Sequence, residues 1–290
     1  MLVTTRPVYL SLGIFHYWLH RCGDQEALNQ YLPTLFNKYS SLQGIEVFCP
    51  WNELPTLAQN RSNKKHILTS RFNCLSAHTI ATISRSLRLH LPSLSTLSLD
   101  YRGQLTDALG ILYESGVSTA VVHPDDATRE QWEAIITSAP HGMHITVENM
   151  DIRKSSFKRL TEVARLLVQY PSLYATFDVC HWVELGRSPV DSELYLFVSM
   201  NFPRIDSLHY SAPSSQATPY LLSPDPTECH YMVEGSSWGS LVTIPRLFSE
   251  TTEIVLEGGV PVHGGHLLER ELRALGVRPA ECSSSVAAAA

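Results

Sequence analysis

Charge is scarce in this sequence. Only 17% of its 290 residues are Asp, Glu, Lys or Arg, against the ~25% of an ordinary soluble chain. The net charge is −6 and no dense Lys/Arg run is present, which disfavours broad electrostatic binding to a polyanion but leaves room for a local basic groove. CxxC pairs are missing too. The six cysteines, Cys22, Cys49, Cys74, Cys180, Cys229 and Cys282, show no disulfide framework, so a reduced, cytoplasmic setting is expected. No signal-peptide pattern is seen, and no apolar stretch reaches the ~18 residues needed to cross a membrane. Finally, no Gly-rich phosphate loop follows the first apolar run, which argues against an open, doubly wound dinucleotide-binding sheet.

What is present is apolar and rhythmic. Hydrophobic residues make up 44% of the chain, enough for a large core. Eight short apolar, β-branched runs occupy residues 8–15, 44–49, 87–92, 119–123, 144–149, 174–180, 205–211 and 253–257. Amphipathic stretches such as 105–115, 127–137, 157–169 and 241–249 lie between them. Strands buried on both faces read as continuous apolar runs, as in a parallel sheet covered by helices. Eight such units predict an α/β fold, a single-domain (β/α)8 TIM barrel over residues 1–280, with a disordered tail at 281–290. Two long connections interrupt the rhythm, 51–86 with its basic cluster (Arg61, Lys64, Lys65, His66) and the Ser/Pro/Gly-rich 212–240. Long loops at strand C-termini commonly build a barrel's pocket.

The chemistry sits where the strands end. From the third run onward they finish at His90, His123, Glu148, Asp178, His209 and Glu257. In a barrel these ends converge on one mouth. A single His or Glu at such a place is ordinary; six in succession are not. Three carboxylates at the ends of apolar strands would be desolvated and mutually repulsive without compensation. A divalent cation on Glu148, Asp178, Glu257 and His209 is the simplest remedy. His181, three residues beyond Asp178, reaches the same pocket, and Glu228-Cys229-His230 adds an acid and a histidine on one side of an extended segment.

These residues, in this order, resemble the xylose-isomerase-like TIM barrel superfamily: sugar isomerases and epimerases together with the endonuclease IV-like apurinic-site nucleases of the AP endonuclease 2 family. Phe177-Asp178-Val179-Cys180-His181 resembles the family's Asp-x-x-His element. The stretch from His230 through Glu234 and Gly235 to Gly239 resembles its His-x-x-x-Gly-Glu-Gly element, one residue short and without the first glycine. The resemblance spans residues 87–258. It implies one metal on Glu148, Asp178, His209 and Glu257 in an isomerase. For a three-zinc nuclease it implies His90, His123 and Glu148 on the first ion, Glu148, Asp178, His209 and Glu257 on the second, and His181, Glu228 and His230 on the third. Glu228 stands where the nuclease has Asp. The first strand lacks the nuclease's His-Val-Ser opening, and Asp125-Asp126 stands in place of a Pro-Gly-Ser-His-like loop, so nucleic acid is not the favoured partner.

Three reactions follow from these expectations. The favoured one is isomerisation or epimerisation of a sugar, sugar phosphate or polyol. Glu148 and Glu257 would exchange the proton at a metal-stabilised enediolate while His181 holds a substrate hydroxyl. The second is phosphoester hydrolysis by up to three metal ions, with Glu148 bridging two of them. The third is a multinuclear iron oxygenase. The cofactor expected is one to three divalent ions, Zn, Mn or Fe, and the expected partner is a small molecule rather than a membrane. Trp182, Tyr210 and Trp238 are read as sugar-stacking or loop-packing residues, and Arg102, Arg153 and Arg187 as phosphate-binding or surface residues.

Overall fold

The computed structural model describes residues 6–15, 25–54, 79, 83, 86–188, 191–213, 230–233, 239–260 and 265–280. Eight parallel strands follow one another around a closed barrel in chain order. They are β1 (Val8–Ser11), β2 (Leu42–Phe48), β3 (Ser86–Ser93), β4 (Val117–His123), β5 (His144–Glu148), β6 (Leu173–Asp178), β7 (Ile205–Tyr210) and β8 (Glu253–Leu256). Closure is direct, with Val8 to Leu10 of β1 paired to Ile254 to Leu256 of β8. The helices described are α1 (Gln25–Lys38), α2 (Arg102–Glu114), α3 (Arg129–Ser138), α4 (Leu160–Gln169), α5 (Val179–Glu184), α6 (Ser192–Asn201) and α7 (Gly265–Ala274). None of them is long and apolar enough to cross a membrane. The expected tail at 281–290 lies outside the described residues.

Alternate strand residues face outward and inward. Ile45, Val47, Leu87, Leu89, Ala120, Val122, Val147, Ala175, Phe177 and Leu208 are all fully buried and form the apolar layer beneath the helices. The expected runs differ from the strands mainly at their ends. Residues 12–15 turn into a 3-10 helix after β1. β6 stops at Asp178 because its side chain accepts the backbone N–H of His181 at 2.6 Å and caps α5. The stretch 241–249 is a 3-10 segment, Gly239–Leu247, rather than an α-helix.

The interior is where this barrel departs from the common pattern of bulky aliphatic layers. Arg88 on β3 is fully buried and crosses the lumen. It reaches Asp206 (3.0 Å) and Ser207 Oγ (2.7 Å) on β7, Glu46 (3.3 Å) on β2, and Glu253 on β8. Asp206 and Ser207 both face Arg88 because the β6–β7 register slips there, pairing Ala175 with Ile205 but Thr176 with Ser207. From Ser207 the chain of hydroxyls continues to Thr176 (2.9 Å) and Thr146 (2.8 Å). Tyr9 bonds Glu253 at 3.3 Å, and His144 lies 2.7 Å from Asp206 while stacking on Tyr174. The floor of the barrel is therefore an ionic and hydroxyl network centred on Arg88.

Candidate metal centre

One layer above that floor, the strand ends bring eight of the nine expected ligands together. His90 Nε2 and His123 Nε2 each lie 3.4 Å from Glu148 Oε2. His209 Nδ1 approaches the same oxygen at 3.5 Å and Glu257 Oε1 at 3.2 Å. His181 Nδ1 lies 3.2 Å from Glu148 Oε1, and His230 lies 3.8 Å from Glu257 Oε2. The His181 and His230 rings meet edge to face at 5.2 Å. Glu228, the ninth, lies outside the described residues.

Neighbouring contacts fix these side chains. Asn149 ties the ends of β5 and β6 by donating to Asp178 O (3.0 Å) and accepting from Asp178 N (2.8 Å). Its own carbonyl holds His181 Nδ1 at 2.9 Å. The His230 segment is bolted to β7 and β8 by paired Ala212–Tyr231 bonds (2.7 and 2.8 Å) and by Gly259 N donating to His230 O (3.0 Å). Gly258, directly after Glu257, makes this approach possible, since a Cβ there would stand 2.6 Å from the Met232 backbone.

Electrostatics set this mouth apart. Among the described residues, no Lys or Arg pairs with Glu148, Asp178 or Glu257. Burial opposes ionisation of Glu148, yet the surrounding His209, His123 and His181 hold its pKa well below the usual range. Glu257 is likewise desolvated, and His209 brings it down to about 2. Burial dominates at Asp178 and raises it to about 7, against the pull of His181 and His230. His209 is desolvated but is driven well above its ordinary value by Glu257, Glu46 and Glu148. Several buried atoms here lack any hydrogen-bond partner among the described residues: Glu46 Oε1, His90 Nδ1, Glu148 Oε2, Asp178 Oδ2 and both His209 nitrogens. Buried polar atoms are seldom left so. Mixed nitrogen and carboxylate donors suit Zn, Mn or Fe. Donor atoms lie within 4.8 Å of one another in four sets: Glu46/His90/His209/Glu257, His90/His123/Glu148, Asp178/His181/His230 and Glu148/Asp178/His209. The residues present thus fit divalent metal.

Two of these participants escaped the sequence reading. Glu46 lies inside the second apolar run, where a lone charge between Ile45 and Val47 was the available signal. Asp151, 3% exposed, places Oδ2 4.0 Å from His181 Nε2 and is clamped by Arg153. Other expectations resolve toward packing. Trp182 is fully buried, donates to Ser188 O at 3.1 Å and carries Arg187 over its ring. Tyr210 is fully buried in the core, so neither offers a sugar platform. Arg102 bonds Thr137, Arg153 pairs with Asp151, and Arg187 pairs with Asp191 and Glu193. Trp238 and the basic cluster of 61–66 lie outside the described residues. The acids expected to repel phosphate are held within the protein, with Asp125 on Lys154 (3.0 Å) and Asp126 accepting from Ser155 Oγ at 2.9 and 3.1 Å.

No family model and no curated protein matches the sequence. Solved structures do match the fold. Endonuclease IV from Thermus thermophilus superposes with a TM-score of 0.52 at 17% identity, covering 93% of this chain and 98% of that one. The IolI protein with a bound zinc atom gives 0.53 at 11%, covering 93% and 95%. A xylose isomerase-like TIM barrel protein from Mycobacterium smegmatis in complex with magnesium gives 0.53 at 11%, covering 95% and 99%. These are barrels of the group that the sequence resembles, and at such identities the likeness is one of fold.

Proposed function

We propose that this chain is a metal-dependent enzyme whose mouth holds more than one divalent ion and hydrolyses a phosphoester. The observation that carries this reading is the crowding on Glu148. One of its oxygens lies within 3.5 Å of His90, His123 and His209 alike, and Glu148 belongs to two of the donor sets, as expected of a carboxylate shared between them. His90, His123 and Glu148 would hold one ion. Glu148, Asp178, His209 and Glu257 would hold a second. His181 and His230, with Asp178, would hold a third, to which the resemblance adds Glu228.

Bound divalent ions would supply Lewis acidity toward a phosphoryl oxygen and lower the pKa of an attacking water. The protein's own part is orientation and proton handling. Glu257 lies 3.2 Å from His209 Nδ1 and 3.8 Å from His230 Nδ1, with its side chain 12% exposed; it would take the proton of the attacking water. Asn149 O at His181 Nδ1 and Asp178 Oδ1 at His181 N fix His181 beside Glu148, where it would orient the substrate or a third ion.

The second reading is sugar isomerisation or epimerisation by Glu148 and Glu257. It is favoured by the two carboxylates that flank His209 Nδ1 at 3.5 and 3.2 Å, and it needs one metal only. His90→Ala separates the two. With bis(4-nitrophenyl) phosphate and an apurinic-site oligonucleotide as probes, hydrolysis falls to background in His90→Ala if the first reading holds. An aldose–ketose exchange that survives His90→Ala but drops about 10²–10⁴-fold in Glu148→Gln would establish the second.

A further inference from the structure

Glu46 groups with His90, His209 and Glu257 in one donor cluster but falls in none of the three ligand sets proposed above; it is fully buried and sits between the centre and the floor. Its Oε1 lies 3.4 Å from His209 Nε2, and its Oε2 lies 3.3 Å from Arg88 Nε. The opposite nitrogen of His209, Nδ1, faces Glu148 and Glu257. A metal-ligating histidine generally donates its other ring N–H to a carboxylate or carbonyl, which fixes tautomer and ring orientation and raises ligand basicity. Both His209 nitrogens lack a hydrogen-bond partner among the described residues, so Nε2 is open to Glu46 Oε1 and Nδ1 to a metal.

Resting on the metal reading above, we infer that Glu46 is a positioning residue that holds His209 as the Nε2–H tautomer and so commits Nδ1 to the metal. Arg88 is the anchor of this arrangement. It is pinned across the lumen by Asp206, Ser207 and Glu253, and it locks the far oxygen of Glu46 so that only Oε1 can turn to the ring. The floor network thereby becomes the mould for the metal site. Nothing in the resemblance to known barrels assigns this role, and it explains why a carboxylate is tolerated in the middle of β2.

The test is cobalt(II) binding, followed by titration calorimetry and visible absorption, on metal-free wild type, Glu46→Gln and Glu253→Gln. Glu46→Gln keeps the size of the side chain but removes the charge facing His209. Its cobalt affinity should fall about 10–100-fold with the metal-free melting temperature little changed. Glu253→Gln alters the same Arg88 cluster without touching His209; Asp206, Ser207 and Glu46 still hold Arg88, so it should bind cobalt as wild type does. Nitrogen-15 spectra of the zinc-loaded wild type should show His209 protonated at Nε2. Affinity within twofold of wild type in Glu46→Gln would overturn the inference. So would an equal loss in Glu253→Gln, or a His209 ligated through Nε2. If wild type itself binds no cobalt, the metal reading fails first, which separates the two failures; the ¹⁵N signature holds the test open should Glu46→Gln not fold.

Discussion

The floor and the mouth of this barrel bury similar numbers of carboxylates but compensate them differently. At the floor, Glu46, Asp206 and Glu253 share Arg88. His144 is raised by its bond to Asp206, and burial favours the protonated form of Glu253. At the mouth, Glu148, Asp178 and Glu257 face only histidines among the described residues, and Glu148 and Asp178 each keep an unpartnered oxygen. A buried charge must be paired or neutralised. The floor carries its cation as Arg88; the mouth has only histidines to offset its carboxylates, and its donor sets fit a divalent ion. That contrast points to metal more firmly than the presence of histidines alone.

The comparison can be broken at the floor. Arg88→Met strands three carboxylates in the lumen and should destabilise the protein by about 3–5 kcal/mol, read as a lower urea midpoint at unchanged slope. A loss below about 1 kcal/mol would mean that the floor does not depend on its own cation. At the mouth the corresponding effect is a gain. Saturating zinc or manganese, at about 1,000 times its Kd, should stabilise wild type by about 4 kcal/mol, and a melting temperature that ignores metal would erase the distinction.

Much of this contrast was legible in the sequence, though unevenly. The strand-end acids and histidines stood out because polar residues closing apolar runs are conspicuous, and barrel topology dictates that they meet. The eight strands were placed to within a few residues because β-branched runs have little freedom to be anything else. The floor was not foreseen. Arg88 and Glu46 occupy inward positions of strands whose outward neighbours are aliphatic, and a parallel run flanked by helices shows no polar alternation strong enough to flag them. Nor could sequence show that Asp206 joins Ser207 in the lumen, since that depends on a register slip. Gly258 carried a signal in its place directly after Glu257, but its reason, the close passage of Met232, is visible only in three dimensions.

Asp178 sharpens the comparison on the pH axis. Its folded-state pKa is raised to about 7 from an unfolded value near 3.9. Its contribution is therefore fully present below about pH 4 and is lost as pH rises through 7, where the ionised carboxylate strains the metal-free fold. Asp178→Asn should stabilise the metal-free protein by about 2–4 kcal/mol at pH 8, leave it unchanged near pH 4, and abolish the metal-induced gain. Wild-type metal binding should correspondingly release more protons at pH 6 than at pH 9, measured by calorimetry in buffers of different ionisation enthalpy. The smallest effect lies on the rim. Lys154→Ala removes a partly exposed partner of Asp125 and should cost about 0.5 kcal/mol without altering metal affinity; a larger effect on affinity would extend the centre to the rim.

The most direct measurement is elemental analysis of the purified chain alongside its Glu148→Gln variant. More than one divalent ion per wild-type chain, with both ligand sets depleted together in Glu148→Gln, is what a shared carboxylate predicts. A metal-free wild type that takes up no Zn, Mn or Fe on dialysis would contradict the central claim that the mouth is built around a divalent cation.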